Sequence, residues 1–91
     1  MNEPQERDAR IMAMVQAFVD EANRMQEKGE QPEIINAALM LASGTYSTFL
    51  AAGNNGYLKE AGIRKVTEAY RTNLEQLQKI KKAQLNPDGK T

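Results

Sequence analysis

The sequence predicts an all-α fold, a three-helix antiparallel bundle that pairs as a homodimer. Apolar residues recur at spacings of three and four in three separate stretches, which is typical of amphipathic helices. The links between these stretches, residues 29–31 and 53–56, are short and rich in glycine, so consecutive helices are expected to run antiparallel. The middle stretch carries two apolar stripes, whereas packing against the other two helices accounts for one. The second stripe therefore predicts contact with a second copy of the chain.

The chain of 91 residues is expected to form a single helical domain, near the size at which one chain is only marginally stable. Its first residues, up to about residue 6, are expected to fray. The predicted parts of domain 1–91 are helix one at about 6–28, helix two at about 32–52, helix three at about 57–83 and a mobile tail at 84–91.

The first helix is predicted from one apolar stripe on an otherwise polar surface. Asp20 and Arg24, four residues apart, are expected to pair on its outer side. Gly29 supplies the residue at which the helix ends. The stripe consists of Ile11, Met14, Val15, Phe18, Ala22 and Met25.

The second helix has the clearest boundaries in the sequence. Pro32 suits the first helical position, because its missing N–H has no partner inside the helix there. Glu33 complements the positive end of the helix dipole, and Gly53 is suited to close the helix. The first apolar stripe comprises Ile35, Leu39, Ala42, Tyr46 and Phe49.

A second stripe on the same helix is the candidate dimer interface. Two apolar faces on one helix must both be kept from water, by a bundle or by another chain. The candidate interface residues are Ile34, Ala38, Leu41, Thr45, Thr48 and Ala52.

The hydroxyl-rich segment 43–48 within this helix contains Gly44, which weakens a helix by about 1 kcal/mol relative to alanine. Close crossing by a neighbouring helix is the favoured explanation, because small residues let two backbones approach. A hydroxyl-lined ligand pocket is the alternative.

The third helix is predicted from a stripe that alternates steps of three and four, much as in a coiled coil. Asn73 adjoins this stripe. The stripe residues are Leu58, Ile63, Val66, Tyr70, Leu74, Leu77 and Ile80.

The composition argues against catalysis. The chain has no cysteine and no histidine, so it lacks thiolate nucleophiles, the commonest general base and the usual zinc ligands. Asp20, Glu21 and Asn23 cluster near the end of the first helix, but such a group is usually a solvated surface. We therefore expect no catalytic residue, no cofactor and no metal.

The sequence favours a cytoplasmic protein without a membrane partner. The N-terminus lacks the basic and then apolar order of a secretory signal. The longest unbroken apolar run, residues 37–42, is far shorter than the roughly 20 residues that span a bilayer.

Charge is unevenly placed along a chain whose formal net charge is zero. Residues 1–33 hold eight acids and four bases, a balance of −4, while residues 59–82 hold seven bases and three acids, a balance of +4. The asymmetry favours helices that pack with complementary flanks, and nucleic-acid binding is the less favoured explanation. The basic candidates for a nucleic-acid face are Lys59, Arg64, Lys65, Arg71, Lys79, Lys81 and Lys82.

The chain also resembles a family of short, all-helical bacterial proteins catalogued only as a domain of unknown function. The resemblance rests on residues 18–23, on residues 35–43 and on Tyr46 and Phe49, and covers about residues 10–80. It implies a small helical fold in a bacterial cytoplasm and no catalytic activity. The sequence thus predicts a non-enzymatic interaction or scaffold module that acts as a homodimer, with an unidentified protein as a further partner.

Overall fold

The computed structural model describes residues 2–86 and contains three α-helices. Helix α1 spans Glu3–Glu27, α2 spans Pro32–Ala52 and α3 spans Glu60–Leu85. No strand occurs among residues 2–86. The predicted all-α class is therefore confirmed.

Helix α1 begins earlier than the sequence predicted. Asn2 has extended backbone angles, and its side-chain oxygen accepts a hydrogen bond from the Gln5 backbone N–H at 3.0 Å. Such a cap satisfies one of the N–H groups that have no partner inside the helix. Pro4, close to the helix start, leaves no donor unpaired there. The structure places residues 3–6 within α1, whereas the sequence predicted a helix start at about residue 6, and Met1 lies outside the described residues.

Helices α1 and α2 end next to glycines with left-handed backbone angles. Gly29 has a φ of 109° and Gly53 a φ of 79°, values that residues with a Cβ rarely adopt. The sequence prediction used these same two glycines to place the ends of both helices.

Helix α3 differs from its predicted bounds at both ends. It starts at Glu60, after an extended Lys59, whereas the sequence predicted a start near residue 57. Gly56 lies against the last turn of α2, where a Cβ would clash with the Ala52 carbonyl oxygen. Helix α3 continues to Leu85, two residues beyond the predicted end at about residue 83. Of the predicted mobile tail, residues 87–91 lie outside the described part of the chain.

The chain divides into two compact units, Met1–Ala42 and Ser43–Thr91, which we call unit 1 and unit 2. The boundary falls within α2. Unit 1 contains α1 and the first half of α2, and unit 2 contains the second half of α2 and α3. The expectation of a single domain remains a prediction.

Burial within the described residues is very limited. Ile35, which is 7% exposed, is the sole buried hydrophobic residue between positions 2 and 86. The other large members of its stripe are not buried: Leu39 is 41% exposed, Tyr46 66% and Phe49 43%. The stripe is apolar as the sequence predicted, but these three residues are not buried, and the antiparallel bundle remains a prediction.

Candidate interaction surface

The first candidate surface is an apolar groove in unit 1. It lies where α1 and the first half of α2 meet, and it includes the buried Ile35. Its α1 side carries Phe18, which is 67% exposed, and Met25, which is 43% exposed. The groove, called the unit 1 groove below, is lined by Phe18, Glu21, Ala22, Met25, Ile35, Ala38, Leu39 and Ala42.

Glu21 is the one ionisable residue that lines this groove. Its carboxylate accepts hydrogen bonds from Arg24 Nη2 at 2.6 Å and from Arg24 Nε at 3.1 Å. The predicted pairing of Arg24 with Asp20 was therefore wrong, because the nearer acid on the same turn takes the guanidinium. Asp20 instead accepts from Gln16 Nε2 at 2.9 Å. The carboxylates near the end of α1 thus bind neighbouring side chains on their own helix.

The Arg24 guanidinium lowers the pKa of Glu21, first through its hydrogen bonds and then through charge attraction. A carboxylate with a lowered folded-state pKa stabilises the fold above its ordinary pKa. This contribution is lost as the pH falls through the lowered value. Both side chains are more than half exposed, so the pair has little influence on stability.

A second groove lies in unit 2, between α2 and α3. Its volume is about 240 Å³, and that of the unit 1 groove is about 210 Å³. Both volumes are below the range of about 300–1,000 Å³ that is usual for small-molecule pockets. The hydroxyl-rich segment does contribute to it, but the cavity is smaller than a typical ligand site. It is lined by Ser43, Ser47, Lys65, Val66, Ala69, Tyr70 and Asn73.

Gly44 is not crossed closely by another helix of this chain. Outside the adjoining stretch of its own helix, no described atom lies within 4 Å of a Cβ built on Gly44. The carbonyl of Gly44 accepts a hydrogen bond from the Thr48 hydroxyl at 2.8 Å, which is a contact within α2. Close crossing of Gly44 by α3, the other helix of unit 2, is therefore not found, and crossing by any other helix remains a prediction.

Replacing Gly44 with alanine is expected to stabilise the folded chain. The methyl group meets open space, and alanine favours a helix interior by about 1 kcal/mol over glycine. Urea unfolding at fixed protein concentration measures the change. A loss of stability would show that another helix approaches Gly44 in solution, and Gly53→Ala, at a positive φ, is the control expected to destabilise.

The predicted dimer stripe of α2 is divided between the two units. Positions 34, 38 and 41 belong to unit 1, and positions 45, 48 and 52 belong to unit 2. Ile34 is 53% exposed and Leu41 is 73% exposed, whereas Thr48 and Ala52 are half-buried. Ala38 also lines the unit 1 groove. The role of this stripe in pairing remains a prediction.

The basic residues named as a nucleic-acid face are all exposed, but acids are mixed among them. Arg64, Arg71 and Lys82 share one face of α3, at spacings of seven and eleven. Glu75 lies on that face and pairs with Arg71 at 3.4 Å. A face of mixed sign gives little of the phosphate attraction on which nucleic-acid binding depends. Retardation of short DNA at low salt tests this less favoured alternative.

No group of three or more metal-binding side chains occurs within residues 2–86. Acidic and basic side chains do line a shallow depression at the start of α1, which is formed by Glu3, Pro4, Glu6, Arg7, Asp8 and Arg10.

Helix α2 is long and apolar enough to cross a membrane by length and composition. It has 21 residues and a mean hydropathy of 1.3 over its most apolar window, of which 6% is buried. The sequence argument considered only the longest unbroken apolar run, whereas an average over a longer window tolerates interspersed serine, threonine and glycine. The core helices of soluble proteins pass the same test, and the expected absence of a membrane partner remains a prediction.

These features define a small all-helical protein whose apolar surface is largely open. The chain belongs to the family described as "Protein of unknown function (DUF3144)", whose family model matches residues 11–80. The resemblance seen in the sequence is thereby confirmed, and the match includes the grooves of both units. No curated protein and no solved structure matches the chain.

The unit 1 groove was not predicted as a site. Its apolar residues were recognised as members of three separate stripes, among them Ala38 of the candidate dimer interface, and Glu21 was recognised as part of a solvated cluster. A signal was present, because the small side chains of Ala22, Ala38 and Ala42 alternate with large ones along both helices, which leaves space between them.

Proposed function

We propose that this protein is a non-enzymatic protein-interaction module whose immediate partner is a second copy of itself. In this proposal, two chains together close the antiparallel helical bundle that the sequence predicts. The observation that carries the proposal is the near absence of burial in a chain with three amphipathic helices.

The exposed apolar surface is far larger than is usual for a monomer. Within residues 2–86, 21 large hydrophobic side chains are at least 39% exposed, against one that is buried. Isolated exposed hydrophobic residues are ordinary on protein surfaces, but contiguous stripes of them mark interaction sites. The exposed residues follow the helical spacing on all three helices, so they form stripes.

A membrane is a less suitable cover than a second chain. A bilayer that α2 spans cannot also be spanned by α1 and α3, because these helices carry many charged residues. A second helical chain covers stripes on all three helices.

Co-expression of a tagged and an untagged copy tests the proposal. We expect the untagged chain to co-purify with the tagged chain in equal amount and the complex to stay in solution when neutral lipid vesicles are floated. A tagged chain that purifies without its untagged copy contradicts self-association. Flotation of the chain with the vesicles would indicate a membrane as the cover instead.

A further inference from the structure

We infer that the homodimer is reciprocal, with the apolar stripe of α3 in each copy docked in the unit 1 groove of the other copy. This inference rests on the proposed self-association and specifies which surfaces meet. The exposed members of this stripe, called the α3 seam below, are Ile63, Tyr70, Leu74, Leu77 and Ile80.

The charge of the two units favours this pairing. Unit 1 holds eight acidic and four basic residues, a balance of −4, whereas unit 2 holds eight basic and four acidic residues, a balance of +4. Contact between the same unit of two copies brings like charges together. Contact between unit 1 of one copy and unit 2 of the other brings opposite charges together, which favours encounter and fixes the register.

The apolar surfaces are also complementary in character. The unit 1 groove is lined by apolar side chains with Glu21 as its one charged member. Every residue of the α3 seam is between 42% and 52% exposed, so its own chain leaves about half of each side chain in water. Lys81 continues the seam, seven residues beyond Leu74, and supplies a cation for an acidic surface.

Reciprocal contact gives a closed assembly. Each copy offers one groove and one seam, and a two-fold axis satisfies both pairs at once. No unpaired groove or seam remains at the end of the dimer, so larger assemblies are not expected.

The dependence of dimerisation on salt tests the charge argument on the unmodified protein. Between about 0.01 M and about 0.1 M salt the screening length falls from about 30 Å to about 10 Å, and we expect the dimer dissociation constant to rise about threefold or more. Analytical sedimentation at each salt concentration gives this constant. A constant that falls or does not change with salt contradicts pairing between oppositely charged units.

Mixing two variants tests which surfaces meet. Phe18→Glu alters the groove and Ile80→Lys alters the seam, at side chains that are 67% and 51% exposed. A reciprocal dimer has two groove–seam contacts, and in a dimer of a single variant both contacts carry the substitution. In a mixed dimer one contact is wild-type, and in the other the introduced glutamate faces the introduced lysine. We expect each variant alone to be monomeric and the mixture to associate at least about tenfold more tightly than either.

Matched controls and separate outcomes distinguish this inference from the proposed function. Met12→Glu and Thr72→Lys, at exposed residues that belong neither to the groove, nor to the seam, nor to the predicted dimer stripe, should dimerise as the wild type does. Circular dichroism of each variant verifies that its helices form. A wild-type monomer contradicts the proposed function itself. A wild-type dimer whose groove variant or seam variant still dimerises alone, or whose mixture gains nothing, contradicts reciprocal docking only.

Discussion

Substitution of Leu41 by lysine is expected to dissociate the homodimer. The predicted dimer stripe shares Ala38 with the unit 1 groove, so the copy that docks in the groove also covers Leu41, three residues further along α2. Leu41 is the most exposed member of the predicted dimer stripe with a large side chain, at 73%. Burial of one leucine contributes about 2 kcal/mol, and the symmetry of a dimer doubles this to about 4 kcal/mol. A loss of that size raises the dimer dissociation constant about 1,000-fold, and sedimentation of a dilution series measures it.

Leu50→Lys is the matched control for this substitution. Leu50 lies on the same helix, is 72% exposed and is not part of the predicted dimer stripe. The two variants have the same composition and remove nearly equal exposed area, so differences in solubility or helix propensity cancel. We expect Leu50→Lys to dimerise with less than about a tenfold change. Equal effects of the two variants would show that the stripe does not define the interface.

Ile35→Ala is expected to cause the largest loss of folding stability among single substitutions on α2. Ile35 is the buried residue around which α1 and α2 meet in unit 1. Truncation of a buried isoleucine to alanine destabilises by about 2–4 kcal/mol, a large part of the stability of a small domain. Urea unfolding followed by circular dichroism gives the change, at one protein concentration for all variants because dimerisation is coupled to folding.

Met40→Ala provides the comparison for this second prediction. Met40 is similar in size, lies on α2 and is 55% exposed. Its truncation removes little packing and introduces a better helix former, so we expect a change within about 0.5 kcal/mol. If Ile35→Ala is no more destabilising than Met40→Ala, the contact between α1 and α2 in unit 1 does not hold that unit together.

The helices of this protein follow closely from local sequence signals. Pro32 and Gly53 bracket α2 because each has a conformational preference that acts at a single position. Asn2 caps α1 by the same kind of local contact, although the polar start of the chain had been interpreted as frayed. The start of α3 was predicted three residues too early, because Lys59 precedes the helix without a side-chain cap and its residue type gives no start signal.

Burial could not be predicted in the same way. Helical spacing shows which side of a helix is apolar, but it does not show which chain covers that side. Leu39 and Phe49 were correctly placed on an apolar stripe, yet more than two-fifths of each side chain is exposed. The ion pair of Arg24 was misassigned because acidic residues precede it by both three and four positions. The rotamer of the arginine side chain decides which acid it binds, and the sequence does not show this rotamer.

Sedimentation equilibrium of the unmodified protein tests the central claim most directly. The account predicts a solution mass of twice 10.2 kDa at micromolar concentration, with dissociation to single chains only on strong dilution. A mass of 10.2 kDa across the whole concentration range would contradict it, because the exposed stripes of all three helices would then have no second chain to cover them.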